Sequence, residues 1–261
     1  MAKNNMRIVS YNVNGIRAAL KKGLLDWLKT DPADIVCFQE LKALETDIDL
    51  SHFTELGYHV YWYAAEKKGY SGVAILTKVK PEYVQKGNGT LQSDAEGRVI
   101  RADFEHFTLI NAYFPSGTSG DIRQTYKYQW LDEFQSYIDT LKKEHPNIVI
   151  TGDYNIAHTE IDIHDPKGNK NSSGFLPDER AWMDRFLASG FVDTFRYLHP
   201  DERGRYSWWS QRFPTVRLNN KGWRIDYISV TTPLAKDIVR SDIYPDVKQS
   251  DHCPIYLELK A

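Results

Sequence analysis

The chain has 261 residues, of which 41% are hydrophobic and 26% are charged, and its formal net charge is −2. This composition excludes an intrinsically disordered protein, which requires low hydrophobicity and unbalanced charge. The small net charge also excludes a protein that coats nucleic acid through bulk positive charge, although it leaves room for an enzyme whose site needs its own carboxylates.

Strand-like runs rich in Val, Ile, Tyr and Phe recur along the whole chain and are bounded by Gly, Pro, Asp or Asn. They cover Met6–Tyr11, Asp34–Gln39, His59–Ala64, Gly72–Lys78, Arg98–Phe104, Phe107–Tyr113, Asn147–Thr151, Arg224–Val230 and Cys253–Leu259. Helical periodicity predicts three amphipathic helices, over Ile16–Lys29, Ile122–Lys143 and Pro177–Ala188.

Several strands follow one another without an intervening helix, as in the hairpin predicted to turn near Glu105 and His106. This pattern excludes a barrel of alternating strands and helices. We predict an α/β (α+β) fold, a four-layer sandwich of two packed mixed β-sheets flanked by helices, with the active site at one rim. No linker divides the chain, so residues 1–261 are expected to form a single domain. The polar stretch 164–174 is long for a loop in such a domain and is predicted to be functional or disordered.

The apolar runs are too short to cross a bilayer, so we expect neither a membrane-spanning segment nor a signal peptide. The two cysteines, Cys37 and Cys253, lie inside apolar runs and predict buried thiols in a reducing compartment. A cytoplasmic location is therefore expected, and a monomer is predicted separately.

Six of the strand-like runs bring a catalytic type of side chain to one end. Four carry it at the C-terminal end and two near the N-terminal end, the residues being Asn12, Glu40, Tyr113, Asp153 with Asn155, Asp226, and Asp251 with His252. All six ends share one rim if the last two strands run opposite to the first four. One polar strand end is common because loops start there, but six with these residue types predict a ligand site.

Carboxylates, amides and an imidazole suit metal-assisted attack on a phosphate ester, because a hard cation held by oxygen ligands neutralises the charge that repels a nucleophile. The chain has no zinc-type Cys/His spacing, no GxxxxGK[ST] loop and no GxSxG motif. Asp153 and Asn155 flank Tyr154, so both point to the same face of an extended segment.

Asp226 lies on a strand and is expected to be buried, which requires a partner. His252 is one candidate, and a local turn or Arg224 are the alternatives. Tyr113 has two open interpretations, a functional hydroxyl or a core ring.

The sequence resembles the exonuclease III-type AP endonucleases of the endonuclease/exonuclease/phosphatase superfamily. The matching motifs run in family order over essentially the whole chain. QE, GDxN and SDH mark the superfamily, which also contains inositol phosphatases and sphingomyelinases. The stretches PKGNK (166–170), GFLPDER (174–180) and GWRIDY (222–227) are specific to the DNA-repair branch.

The resemblance implies Mg²⁺ as cofactor, with Mn²⁺ as a substitute, and Glu40 as its main ligand. The full set of implied metal ligands is Asn12, Glu40, Asp153, Asn155, Asp251 and His252. Asp153 resembles the residue that activates or orients the attacking water, and Asn155 the one that holds a phosphate oxygen. Tyr113 resembles the phosphate-side tyrosine, and His252, oriented by Asp226, resembles the histidine at the scissile phosphate.

Double-stranded DNA with abasic sites or blocked 3′ ends is the implied partner. Arg17, Lys22, Tyr70 and Asn169 match positions that grip phosphates, and the implied pocket for a flipped abasic sugar comprises Trp208, Trp223 and Ile225. The implied activity is incision 5′ to abasic sites, leaving a 3′-hydroxyl, with 3′–5′ exonuclease and 3′-phosphodiesterase activity. The alternatives are a phosphatase of inositol phosphates or lipids, and a non-catalytic DNA-binding member.

The match has four departures, at Asn14, Ser116, Ser119 and Asp165. Ser116 replaces an amide beside the phosphate, and Ser119 replaces an arginine that enters the groove in animal relatives. Asp165 adds negative charge near the DNA. These differences leave the chemistry intact but leave the balance between the three activities open.

Overall fold

The computed structural model describes residues 5–260. In chain order its strands and helices are β1 (Met6–Asn12), α1 (Ile16–Lys21), α2 (Leu24–Thr30), β2 (Ile35–Gln39), α3 (Ser51–Thr54), β3 (His59–Tyr63), β4 (Val73–Thr77), β5 (Tyr83–Lys86), α4 (Leu91–Ala95), β6 (Val99–Asp103), β7 (Thr108–Tyr113), α5 (Asp121–Leu141), β8 (Ile148–Asp153), α6 (Pro177–Ala188), β9 (Phe191–Asp193), α7 (Thr194–Leu198), α8 (Thr215–Leu218), β10 (Asp226–Thr231), β11 (Ile238–Ile243) and β12 (Ile255–Leu259). Residues 1–4, which carry part of the expectation about the N-terminal segment, and residue 261 lie outside the described residues.

The strands form two six-stranded mixed sheets. The first has the order β11-β12-β1-β2-β4-β3 and the second the order β5-β6-β7-β8-β10-β9. At the centre of each sheet lies a parallel pair, β1 with β2 and β7 with β8, while the other pairs of described strands are antiparallel. The two sheets therefore share one pattern of strand directions.

Three hydrophobic clusters separate four layers. Alternate residues of a central strand serve different clusters: Ile35 and Cys37 of β2 face the space between the sheets, whereas Val36 and Phe38 face α1 to α3. The outer face of the second sheet packs against α5 and α6. The prediction of a four-layer sandwich of two mixed sheets flanked by helices is confirmed.

The strand directions place the polar strand ends on one rim. β10 runs antiparallel to β8, so that Asp226 at its start lies in register with Asp153 at the end of β8. β12 runs antiparallel to β1 in the same way. The two late strands therefore run opposite to the four early ones, as the sequence pattern required.

The first predicted helix, Ile16–Lys29, is wrong in one respect, because the structure divides it into α1 and α2. Gly23 adopts a left-handed φ of 89° at the junction and ends the α-helical hydrogen bonding. The apolar periodicity continues across Gly23, so the sequence pattern gave no sign of the break.

Three strands escaped prediction, namely β5, β9 and β11. β5 and β9 are sheet edges of four and three residues, and β11 is an edge strand whose Val239 and Arg240 face solvent. Edge strands need no continuous apolar run, so they lack the signal that marks central ones. Among the described helices, none combines the length and apolar character needed to cross a membrane.

Candidate active site

The rim where the strands meet opens into a cleft of about 930 Å³. Residues from β7, β8 and the segments that follow β1 and β2 form one side, and Asp251 and His252 lie beside them. The other side is formed by the loop before α6 and by an aromatic segment. The lining side chains include Asn14, Glu40, Lys42, Tyr113, Ser116, Gln124, Asp153, Asn155, Asn169, Ser173, Trp208, Trp223, Ile225, Asp251 and His252.

Backbone strain is concentrated at this cleft. Within residues 5–260, six residues other than glycine have a left-handed φ, and four of them, Asn14, Glu40, Lys42 and Asn155, line the cleft. Such conformations cost about 1–3 kcal/mol each and persist where the surrounding structure enforces them, which occurs most often at functional sites. The left-handed backbone of Glu40 also turns the chain at the end of β2, which brings this residue to the cleft.

Glu40 links a tyrosine and a lysine. The hydroxyl of Tyr113 donates a hydrogen bond to Glu40 Oε1, and the Lys42 ammonium lies 3.0 Å from Glu40 Oε2. Lys42 also donates to Asn14 Oδ1 at 2.5 Å. Burial, and then the charge of Glu40, raise the pKa of Tyr113 well above its ordinary value, so its hydroxyl stays a neutral donor. The Tyr113 ring packs in the core between the sheets while its hydroxyl reaches Glu40 at the cleft, so a functional role of the hydroxyl stays a prediction.

Asp153 is buried at the centre of the rim. Its Oδ2 accepts a hydrogen bond from the Asn12 side chain at 2.9 Å, and its Oδ1 accepts one from the backbone N–H of Asn155 at 2.8 Å. Burial raises the pKa of Asp153, and the charge of Asp226 raises it further, whereas His252 lowers it. The net effect is a carboxylate with raised proton affinity, which suits a proton acceptor near neutral pH.

His252 and Asp226 form a buried pair. The imidazole Nδ1 donates to Asp226 Oδ2 at 2.8 Å, and the Ser207 hydroxyl donates to the same oxygen at 2.7 Å. His252 Nε2 lies 3.8 Å from Asp153 Oδ2. Burial lowers the pKa of His252, but Asp226 and then Asp153 outweigh it and raise the pKa above its usual value. The imidazole therefore presents an N–H at Nε2.

The alternative partner of Asp226 is engaged elsewhere. The Arg224 guanidinium is buried and pairs with Asp162 at 2.7 Å and with Asp193 at 2.7 Å. Of the partners considered from the sequence, His252 is therefore the one that Asp226 contacts. Ser207, which also holds Asp226, had no signal in the sequence because a lone serine before two tryptophans is unremarkable.

Asp251 is held by protein donors on both oxygens. Asn14 donates to Oδ1 at 2.9 Å and the Trp208 indole donates to Oδ2 at 3.1 Å. Burial raises the pKa of Asp251, but His252 and these hydrogen bonds lower it below the ordinary value. Asp251 is thus ionised and links Asn14 to Trp208, and all three residues line the cleft.

The donor set fits a hard divalent cation, because carboxylate oxygens dominate it. The Glu40 carboxylate faces the cleft, and the Lys42 ammonium lies against it at a place where a metal cation could bind. One atom each of Asp153, Asp226 and His252 lie within 4.8 Å of one another. Among the described residues, buried Asp226 Oδ1 has no hydrogen-bond partner. These residues could hold a metal ion.

Both polar atoms of the Asn12 side chain are already hydrogen-bonded to protein groups. Its amide nitrogen donates to Asp153, and its oxygen accepts the backbone N–H of Asn14 at 2.9 Å. In this arrangement Asn12 orients Asp153. Metal ligation stays a prediction for all six residues, namely Asn12, Glu40, Asp153, Asn155, Asp251 and His252.

The aromatic side of the cleft forms a small apolar cluster of its own. Trp208 and Trp223 meet edge to face with their ring centroids 5.9 Å apart, and Ile225 packs beside them with Ile163 and Phe175. Asn169 also lines the cleft. The three predicted pocket residues are therefore neighbours, and one of the four predicted phosphate contacts lies with them.

The other predicted phosphate contacts lie outside the cleft lining. Arg17 and Lys22 are exposed on and just after α1. Tyr70 is half-buried, and its hydroxyl accepts hydrogen bonds from Arg98 at 3.0 Å and Arg123 at 2.9 Å. Since both guanidinium groups donate to the oxygen, the Tyr70 O–H remains available as a donor.

Sequence reasoning missed several residues of the cleft. Lys42 lies two residues after Glu40, and nothing in the sequence distinguishes it from a solvent-exposed lysine. Gln124 and Ser173 come from α5 and from the 164–174 stretch, and their side chains bond at 2.7 Å across the cleft wall. The prediction that residues 164–174 are functional or disordered was the only sign in the sequence that Ser173 belongs to the cleft.

Comparison with known proteins identifies the family of the chain. The model of the Endonuclease/Exonuclease/phosphatase family matches residues 9–252. An exodeoxyribonuclease of Bacillus subtilis is 45% identical over 253 residues, covering 97% of this chain and 98% of that protein. The DNA repair nuclease APEX1 of Danio rerio is 42% identical over 258 residues, covering 98% and 82%.

Solved structures give the same result. An AP endonuclease from Archaeoglobus fulgidus superimposes with a TM-score of 0.90 and 34% identity, covering 98% of this chain and 100% of that one. The 3′ phosphatase NExo from Neisseria, bound to a product DNA hairpin, gives 0.91 and 28% identity with the same coverage. The chain belongs to the endonuclease/exonuclease/phosphatase family.

Proposed function

We propose that the protein is a metal-dependent DNA-repair nuclease that cleaves the phosphodiester bond 5′ to an abasic site and leaves a 3′-hydroxyl. We propose further that it removes nucleotides and blocking groups from 3′ ends. The observation that carries this proposal is the joint presence, in one cleft, of the Asp153 and His252–Asp226 groups and of an apolar aromatic cluster. The relatives named as exodeoxyribonuclease, AP endonuclease and 3′ phosphatase support it.

The reacting centre divides the chemistry among fixed side chains. Asp153, with its raised pKa, accepts the proton of the attacking water or orients that water. The Nε2–H of His252 donates to a phosphate oxygen, and Asp226 holds the imidazole in that orientation. The Tyr113 hydroxyl and the Asn155 amide lie beside them as neutral donors that now donate to Glu40 and to the Phe114 carbonyl, so each would have to turn from that partner to donate to a phosphate oxygen. The phosphate is thus surrounded by donors, which favour charge that develops in the transition state.

Mg²⁺, or Mn²⁺ in its place, is proposed as the cofactor, with Glu40 as its main ligand and Asp153 nearby. When bound, the cation neutralises negative charge on the phosphate. The Lys42 ammonium now lies 3.0 Å from Glu40 Oε2 and 2.5 Å from Asn14 Oδ1, so it would keep Asn14 as a partner if a cation took its place beside Glu40.

Selection of abasic sites is proposed to arise from the pocket of Trp208, Trp223 and Ile225. Extruding a nucleotide costs a few kcal/mol, and the cost is lowest where no base has to leave the stack. A small apolar pocket then accepts the sugar but excludes a nucleotide that carries its base. Arg17, Lys22, Tyr70 and Asn169 are proposed to bind phosphates of the duplex. A monomeric state and a cytoplasmic location stay predictions.

The decisive experiment compares three labelled duplexes, with an abasic site, a 3′-blocked nick or an intact 3′ end. Each is incubated with Mg²⁺, with Mn²⁺ and with a chelator. We expect incision at the abasic site with either metal and none with chelator. Asp153→Asn and Glu40→Gln should lower incision by at least a hundredfold while duplex binding persists. Asp139→Asn, an exposed carboxylate on α5, is the matched control.

Two outcomes would contradict the proposal. Release of phosphate from a soluble inositol phosphate without DNA cleavage would favour the phosphatase alternative. Inactivity on all three duplexes with both metals, despite duplex binding, would favour a non-catalytic DNA-binding protein. The complete set of acidic groups at the cleft argues against the second outcome.

A further inference from the structure

A fully buried ion pair lies directly behind the cleft and takes no part in the site described above. Lys127 on α5 and Glu179 on α6 are both 0% exposed, and Lys127 Nζ lies 2.6 Å from Glu179 Oε1. Burial lowers the pKa of Lys127, while Glu179 opposes this. A buried pair of this kind gives little net stability, because desolvation offsets the attraction. Its contacts therefore point to a different role.

Lys127 reaches the reacting centre through one backbone atom. Its ammonium donates to the carbonyl oxygen of Asn155 at 2.7 Å. Asn155 has a left-handed φ of 53°, its N–H is bound to Asp153 and its side chain donates to the Phe114 carbonyl at 2.8 Å. Lys127 thus fixes the one remaining polar group of the Asn155 backbone.

Glu179 reaches the opposite wall of the cleft. Its Oε2 accepts the backbone N–H of Gly174 at 2.6 Å and that of Leu176 at 3.0 Å. Its Oε1 also accepts the Gln124 side chain at 3.1 Å, and Gln124 in turn accepts the Ser173 hydroxyl. The wall formed by residues 169–176 is therefore fastened to Glu179 at several points.

The contacts made by Lys127 and those made by Glu179 converge at Gly174. A Cβ built on Gly174 would lie 3.0 Å from the ring of Trp223 and 3.3 Å from the Asn155 carbonyl oxygen. Gly174 has a left-handed φ of 94°, and its carbonyl accepts the Ala157 N–H at 2.7 Å. A shift of the wall would therefore move both Trp223 and Asn155.

We propose that Lys127 and Glu179 are positioning residues that couple the orientation of Asn155 at the reacting phosphate to the wall that receives the DNA. The pair touches no substrate and acts through Asn155 and through the 169–176 wall. The inference rests on the proposed function in that Asn155 is taken to face the scissile phosphate.

The test uses variants that remove the link without leaving an unpaired buried charge. In the double variant Lys127→Met/Glu179→Met both charges are lost together, and similar volume is kept. Lys127→Arg keeps the charge and the donors and serves as the conservative rescue. Lys142→Met is the matched control, because this lysine directly follows α5 and binds Asp139 and the Ser189 carbonyl away from the cleft. Thermal unfolding, kcat and KM are measured for each protein.

We expect the double variant to unfold within a few degrees of the parent and its kcat on the abasic duplex to fall at least tenfold. Lys127→Arg should stay within threefold of the parent, as should Lys142→Met. A folded double variant with parental kcat and KM would overturn the inference. Should the double variant not fold, Gln124→Met cuts the link between Glu179 and Ser173 and leaves the Lys127–Glu179 pair in place, and it should raise KM at least threefold. Unchanged kinetics there would equally overturn the inference.

Failure of the proposed function gives a different result. The parent would then leave abasic duplexes intact, and the same variants would be compared on bis(p-nitrophenyl) phosphate, which reports the reacting centre without DNA. A tenfold loss of kcat in the double variant on this substrate still supports the positioning role, and equal rates overturn it.

Discussion

Substituting alanine for Gly152 should disable the nuclease by widening the gap between two strands of the rim. Gly152 lies in β8 in register with Ala112 of β7, one residue before the register pair of Tyr113 and Asp153. A Cβ at Gly152 would lie 1.8 Å from the carbonyl oxygen of Ala112. The two backbones therefore approach each other closely at Gly152.

The magnitude follows from that distance. Real Cβ contacts are essentially never shorter than 3.0 Å, so the strands must separate by at least 1.2 Å, the difference between 3.0 and 1.8 Å. Misplacement of reacting groups by about 1 Å costs on the order of 100-fold in rate. The φ of 147° adds about 1–3 kcal/mol of strain for a residue with a side chain. At about 2–4 °C per kcal/mol, this lowers Tm by several degrees.

The assay measures kcat on an abasic duplex beside thermal unfolding of the same preparation. Gly190→Ala is the matched control, since Gly190 has a φ of 110° but no atom within 4 Å of its built Cβ. It should lose stability through strain alone and keep parental kcat. A Gly152→Ala variant that folds and retains kcat within threefold of the parent would refute the reasoning about strand spacing.

Two further predictions concern the pocket and a buried charge network. Trp223→Ala should lower the ratio of kcat/KM for abasic over intact duplex by about tenfold or more, and an unchanged ratio would contradict the proposed pocket. Asp162→Asn should lower the free energy of unfolding at pH 7 by about 3–5 kcal/mol, because it leaves buried Arg224 short of a partner. Burial raises the pKa of Asp162, but Arg224 and then Arg196 outweigh it and hold the pKa below the ordinary value. The stabilisation is therefore present above about pH 4 and is lost as pH falls. Denaturant melts at pH 7 and pH 3 should accordingly differ less for the variant than for the parent.

The convergence of six strand ends could be predicted because strand direction is implied by where the polar residue lies. Asp226 at the start of its strand and Asp153 at the end of another require antiparallel strands if they are to meet, and β8 and β10 pair in that way. Family membership confirms the predicted class of enzyme, a hydrolase of phosphodiester bonds. Central strands were predicted well since both of their faces are buried and apolar.

Other features depend on tertiary contacts that no local pattern encodes. Lys127 on an amphipathic helix resembles a solvent-exposed lysine, and only the structure shows it buried against Glu179. The left-handed conformation of Glu40 likewise has no sequence signature, because glycine or asparagine is the usual marker of such a φ. The break at Gly23 was hidden by continuing periodicity.

The pairing of β12 with β1 has a consequence for when the protein can cut DNA. Met6 lies in register with Leu259, so the last strand inserts between β11 and β1 rather than adding to an edge. A ribosome-bound chain that has not yet released Ile255–Leu259 therefore lacks both a closed first sheet and His252 in place. The cleft thus forms only after Ile255–Leu259 has been synthesised and has paired with β1, a contact between residues far apart in the sequence and of the kind that slows folding.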